Sequence, residues 1–158
     1  MRYYLIDLIE ELRPGESARG VKCVTLTDEI LHDHFPDHPT LPGALIVEAA
    51  AQLSGFLLEM SFNREGAPLK RALLAQIRDA KFYEACGPGD RLVLTASLES
   101  AMETAARVNV DVVVRGKRAA RANLTFILKA IASERVHEQR RYVYRLWTRH
   151  FDPPLTIL

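Results

Sequence analysis

The chain has 158 residues, with 21 basic and 20 acidic side chains, nearly half of its residues apolar and about a quarter charged. That length suits one domain and can bury a real core without staples. The near-cancelling charge supplies no field for nucleic acid or an acidic membrane surface. The two cysteines, Cys23 and Cys86, match no metal or redox spacing and read as reduced thiols in a reducing compartment.

The first apolar stretch is broken by Asp7, Glu10 and Glu11, which excludes a secretory signal and points to the cytoplasm. Tyr4, Ile6, Leu8 and Leu12 alternate as a strand would; Leu5, Leu8, Ile9 and Leu12 also fit a helical face. Arg13-Pro14-Gly15-Glu16 is a turn signal, and residues 18–26 then read as the second strand of a hairpin. Residues 28–43 carry Pro36, Pro39 and Pro42, which makes a stiff, irregular loop. Residues 44–60 are apolar on almost every side, the pattern of a central buried helix, and Pro42-Gly43 mark its start. Glu48 and Gln52 within that run argue against a membrane span.

Strands are expected over 73–82, 91–99, 105–114 and 118–131, separated by turns at Gly87-Pro88-Gly89-Asp90 and Arg115-Gly116-Lys117. The sum is an α+β fold, an antiparallel sheet wrapped on one long helix. Residues 1–132 would form that domain and 133–158 a C-terminal amphipathic extension. In the extension Ser133 would cap a helix over 134–149, with Val136, Val143, Leu146 and Trp147 on one face and Arg135, Arg140, Arg141 and Arg145 elsewhere. Packing on the domain or on another subunit is the plainer reading of that face, and a carrier-protein or membrane contact the sharper one.

Two residues stand out for chemistry. Glu48 lies in an apolar run without a nearby basic residue, so it must either protonate or find a partner, and Gln52 is one turn away. His34 sits on the proline-stiffened loop just before that helix, a good place to hold a proton-transfer group. His32, Asp33, His34, Asp37 and His38 invite a metal reading, but the prolines forbid the regular spacing that would converge them.

The run from His34 to Gly43, His-Phe-Pro-x-x-Pro-x-x-Pro-Gly, followed by Glu48-Ala49-Ala50-Ala51-Gln52, resembles the 3-hydroxyacyl-acyl-carrier-protein dehydratases of type II fatty acid synthesis, in the FabA/FabZ-like hot-dog family. Asp79-Ala80-Lys81-Phe82 and Pro88-Gly89-Asp90-Arg91-Leu92 extend the resemblance, which covers about residues 3–131. It implies dehydration of (3R)-3-hydroxyacyl thioesters to trans-2-enoyl thioesters without a cofactor. His34 would be the catalytic histidine, Glu48 the catalytic acid, and Gly43 the residue whose N–H receives the thioester oxygen. A Glu rather than an Asp at 48 favours dehydration without double-bond migration. The resemblance also implies a homodimer, with a trimer of dimers as a further option, in which His34 of one subunit faces Glu48 of the other.

Phe35, Leu41, Leu45, Gln52 and Phe82 are the expected acyl-site residues beside Gly43. Asp33 and Asp37 stand where the family has Gly, and Tyr83 and Glu84 where basic residues are frequent, which leaves open whether the carrier is acyl carrier protein or coenzyme A. The family's segment ahead of the first strand is expected to be missing. A hot-dog thioesterase and a non-catalytic acyl-binding or assembly paralog are the competing readings. The His34–Glu48 pair argues against the first; the altered loop and the tail keep the second open.

Overall fold

A computed structural model of the chain describes residues 3–158. Strands β1 (Leu8–Arg13) and β2 (Ser17–Cys23) form the expected hairpin, and a long helix, α1 (Gly43–Phe62), follows the proline loop. Strands β3 (Lys70–Phe82), β4 (Arg91–Ala101), β5 (Ala105–Val114) and β6 (Lys117–Ala130) complete the sheet, and α2 (Glu134–Trp147) closes the chain. The first segment is a strand from Leu8 onward, which resolves the ambiguity between the two periodicities there; Tyr4 and Ile6, expected in the same strand, lie ahead of it in irregular backbone. Backbone pairing from Leu8↔Val21 to Arg13↔Ser17 holds it extended.

The six strands pair antiparallel in the order β1-β2-β4-β5-β6-β3. Alternation does the sorting. Val108, Val110 and Val112 of β5 are almost wholly buried, whereas Asn109 and Asp111 face outward. Leu92, Leu94 and Ala96 of β4 and Leu124 and Phe126 of β6 extend the same inner face. Against it lies α1, whose Leu53, Phe56, Leu57 and Leu58 have no exposed surface. Each such large side chain contributes about 1.5–3 kcal/mol by leaving water. By length and composition alone α1 could cross a membrane, but 72% of its apolar window is buried inside the molecule, where the sheet takes the place of lipid.

The two edges of the sheet differ. Edge strand β1 is short, carries Glu10 and Glu11, and slips register between Ile9 and Glu11. Edge strand β3 is thirteen residues long and exposes Leu73, Leu74, Ile77 and Phe82. Both edges are irregular, β3 with register shifts between Leu74 and Gln76 and between Ile77 and Asp79, but the length of β3 and its exposed apolar side chains leave it the more open rim.

The C-terminal helix is amphipathic as expected, with a different inner face. His137, Val143, Tyr144 and Trp147 are buried, while Leu146, expected inside, is 42% exposed. Helical rotation places Tyr144 inward instead: its ring meets Phe56 edge-on at 5.0 Å. Ser133 occupies the N-cap position, but its side chain makes no capping bond; its carbonyl accepts from the N–H groups of Val136 and His137.

A buried polar cluster fastens α2 to the core. Arg71 of β3 donates to Glu59 of α1 at 2.9 Å and to Nδ1 of His137 at 2.8 and 3.1 Å. Arginine only donates, so Nδ1 must be the bare nitrogen, and Nε2–H donates to the Ile131 carbonyl at 2.7 Å. Tyr144 donates to Glu59 at 2.8 Å. Its phenol is pushed well above its ordinary pKa, first by burial and then by the Glu59 charge, so it remains a donor.

Candidate active site

The His34 loop is built to hold one ring in one orientation. The backbone N–H of Thr40 donates to the His34 carbonyl at 2.7 Å, and Nδ1 of His34 meets the Thr40 carbonyl at 2.8 Å. A carbonyl cannot donate, so the proton sits on Nδ1, and in the neutral ring Nε2 holds the free lone pair. Between these anchors, Phe35 and His38 exchange backbone hydrogen bonds at 3.0 and 3.2 Å. Pro36 and Asp37 are the central residues of that turn, and Asp37 has φ +64°. This is the pattern of a type II turn, with Pro second and a left-handed residue third. It explains why glycine suits position 37, and Asp is among the few side chains that tolerate such a backbone.

The loop is pinned from a second side. Leu41 N–H donates to the Cys86 carbonyl at 2.7 Å. A Cβ at Gly87 would lie 2.9 Å from the Pro39 carbonyl oxygen, so only glycine permits this approach. Asp90 accepts from the Gly87 N–H at 2.9 Å and pairs with Arg115. Burial works to raise the Asp90 carboxyl, but the bonds from Arg115 and Gly87 outweigh it and leave it below its ordinary pKa. The Cys86 thiol is buried and its pKa raised, chiefly by desolvation, which fits a core residue rather than a nucleophile.

Helix α1 begins where the loop ends. The Pro42 carbonyl accepts from Leu45 and Ile46, and the Gly43 N–H has no partner among the described residues. That leaves a free donor at the positive end of a twenty-residue helix. A Cβ on Gly43 would lie 2.9–3.3 Å from three ring atoms of Phe82, so the ring of β3 closes over this helix start.

Glu48 lies further along the same helix. Gln52 donates to it from Nε2 at 3.0 Å, the intrahelical pairing expected from the sequence. Gln52 also donates to the Tyr3 carbonyl at 3.0 Å and accepts from the Leu5 N–H at 2.9 Å, so the N-terminal segment steadies the amide that orients the acid. Glu48 is half-buried and opens into a groove of about 630 Å³ between α1, β3 and α2.

The other expected residues are distributed around this arrangement. Phe35 is 56% exposed and stacks on the His34 ring at 4.3 Å. Leu41 belongs to the core, and Leu45 packs against it half-buried. Of the expected acyl-site residues, Gln52 lines the groove of Glu48; Phe35, Leu41, Leu45 and Phe82 do not, and neither does His34. Within one chain the structure therefore gives two half-sites, the His34–Gly43 loop and the Glu48 groove. Sequence reasoning missed Thr40, which acts through its carbonyl and so carries no side-chain signal. It also missed the groove residues Gly55, Leu73 and Leu74, and the contribution of α2. Among the described residues no three His, Cys, Asp or Glu side chains gather closely enough to hold a metal ion.

A sheet wrapped on a buried helix, with a histidine loop feeding the helix start and a carboxylate in an adjoining groove, defines the hot-dog class of fold. The chain belongs to the FabA-like domain family, whose sequence model matches residues 2–123. It is 37% identical over 123 residues to the 3-hydroxyacyl-[acyl-carrier-protein] dehydratase FabZ of Lactobacillus helveticus, covering 78% of this chain and 81% of that protein. It is 40% identical over 124 residues to the FabZ dehydratase of Ligilactobacillus salivarius, covering 78% and 86%. Among solved structures, smu.793 from Streptococcus mutans bound to acetyl CoA superposes with a TM-score of 0.63 at 17% identity, over 80% of this chain and 90% of that one. The dehydratase heterocomplex ApeI:P of Xenorhabdus doucetiae gives 0.61 at 17% identity, over 80% and 99%. At that identity these two establish the fold.

Proposed function

We propose that this chain removes water from (3R)-3-hydroxyacyl thioesters to give trans-2-enoyl thioesters, in fatty acid or related acyl-chain synthesis. The observation that carries the reading is the locked His34 ring: Nδ1–H is committed to the Thr40 carbonyl, so Nε2 is left as a base. It takes the proton from the carbon next to the carbonyl. The electron pair forms the new double bond as the bond to the 3-hydroxyl breaks. Glu48 gives a proton to the departing oxygen, and water leaves. The free N–H at Gly43 stabilises the negative charge that develops on the thioester oxygen. Asp37 leaves this arrangement workable, since it occupies the backbone conformation that glycine would supply.

The working unit is a homodimer. Exposed Leu73, Leu74, Ile77 and Phe82 make β3 the edge on which a second copy would add its own β3. Leu73 and Leu74 also line the Glu48 groove, so such a partner would reach the open side of that groove and bring its His34 loop to Glu48. The names of the curated relatives favour acyl carrier protein as the thiol carrier, and this reading places the reaction in the cytoplasm.

The test is hydration of crotonyl thioesters, on acyl carrier protein and on coenzyme A, with His34→Ala and Glu48→Gln. Each variant should lose about a hundred- to ten-thousand-fold in rate. Mixed His34→Ala/Glu48→Gln heterodimers should regain activity through the one site that keeps both groups. A fully active Glu48→Gln enzyme would remove Glu48 from the chemistry, and release of free thiol would assign hydrolysis instead.

A further inference from the structure

The match to the FabA-like domain ends at residue 123, but the groove that Glu48 opens into does not end with it. One whole wall is α2: Val136, Arg140, Val143 and Trp147 follow one another at helical spacing along the face turned to the groove. We propose that α2 is the end stop of the acyl site and restricts this chain to short acyl groups. The inference rests on the dehydratase reading and deepens it by naming the substrate class.

Three observations support it. First, the position of the stop is fixed. Tyr144 packs on Phe56 and bonds to Glu59, so α2 crosses α1 about eight residues beyond Glu48, or roughly 12 Å along the helix axis. The buried Arg71, Glu59 and His137 cluster prevents α2 from swinging away to admit a longer chain. Second, the wall is not wholly apolar. Arg140 is half-buried in it and forms no ion pair among the described residues. A long saturated tail laid along this wall would strip water from a guanidinium without offering it a partner. Third, Ala51, Gly55 and Ala72 put small residues into the floor between Glu48 and the stop. A Cβ built on Gly55 meets only Ala72, at an ordinary 4.0 Å, so no neighbouring atom demands glycine there. Glycine inside a helix is unfavourable relative to alanine. Its effect here is empty space in the groove, in line with an acyl chain passing over it.

The experiment compares crotonyl, octenoyl and hexadecenoyl thioesters in hydration. It also measures calorimetric binding of the corresponding saturated acyl-pantetheines, which reads groove depth whether or not turnover occurs. The wild type should favour the crotonyl over the hexadecenoyl substrate by more than about tenfold in kcat/KM, and the binding series should stop gaining affinity with length. Gly55→Val should lower the octenoyl-to-crotonyl ratio by about tenfold. Val136→Ala and Arg140→Leu, which remove bulk or charge from the wall, should raise it. Equal kcat/KM across the three lengths, binding that strengthens steadily to the palmitoyl group, or variants that shift all substrates alike would overturn the end stop. A wild type that hydrates none of the three while binding the short pantetheines would overturn the dehydratase reading and leave the end stop standing.

Discussion

Glu59 and Arg71 form an ion pair at 2.9 Å in which each side chain is only 2% exposed. The second carboxylate oxygen of Glu59 accepts from the Ala72 N–H at 3.0 Å, so the charge is met on every side. A buried pair of this kind adds little net stability when intact, because desolvation offsets the attraction, but losing one partner strands the other. Glu59→Ala should therefore cost about 3–5 kcal/mol in denaturant unfolding. Tyr144→Phe removes one donor from a carboxylate that keeps two others, and should cost about 1 kcal/mol. Similar losses for the two variants would contradict the central place of the ion pair.

The close approach of Phe82 to Gly43 makes a directional prediction. In Gly43→Ala the new methyl group would displace the ring by a few tenths of an ångström or tilt the helix start, moving the N–H proposed to receive the thioester oxygen. A fall of about ten- to a hundredfold in kcat/KM is expected for a displacement of this kind. Adding Phe82→Leu to Gly43→Ala relieves the clash and should recover most of that loss. A double variant no better than the single one would show that the ring is not what glycine accommodates.

Asp37 offers a test of loop geometry. Because its φ is +64°, Asp37→Gly should retain activity and stability. Asp37→Val, β-branched in a left-handed conformation, should lower stability by about 1–2 kcal/mol and reduce activity by loosening the grip on His34. Equal behaviour of the two variants in thermal unfolding and turnover would mean that the turn does not hold the ring.

Acid should act through Asp90. Its folded pKa lies below its unfolded value, so its contribution is complete above the ordinary carboxylate pKa, about 3.9, and fades as pH falls through the lower folded value. Asp90→Asn should melt earlier than the wild type near neutral pH, and the two curves should converge in strong acid. A gap that is constant down to pH 2 would exclude the carboxylate as its source.

Much of this molecule is legible in its residues. Alternating valines against Asn109 and Asp111 fix the inner face of β5 and end it where the structure does, at Val114. The all-round apolar run over residues 44–60 can only be a helix enclosed by other elements, and the structure carries it on to Phe62. His34, Gly43 and Glu48 stand out in the sequence because their motif is long. What escapes is whatever depends on distant contact. The first segment satisfies two periodicities and is settled by pairing with β2. The face of α2 is set by Glu59, Phe56 and Arg71, none of them near it in sequence, so Leu146 turns outward and Tyr144 inward. Leu41 and Phe82 are apolar residues beside a motif, and nothing local separates a core leucine from one that touches substrate.

The His137 clip gives the C-terminal stretch a weight that its distance from the motif would not suggest. A version of this protein cut after residue 132 would keep every part of the family signature. It would nevertheless lose His137 and Tyr144, which bond to Arg71 and Glu59, leaving that ion pair uncovered at the foot of the central helix. A chain cut there would then be prone to misfold, and an inactive product of that kind would say nothing about the chemistry of the whole.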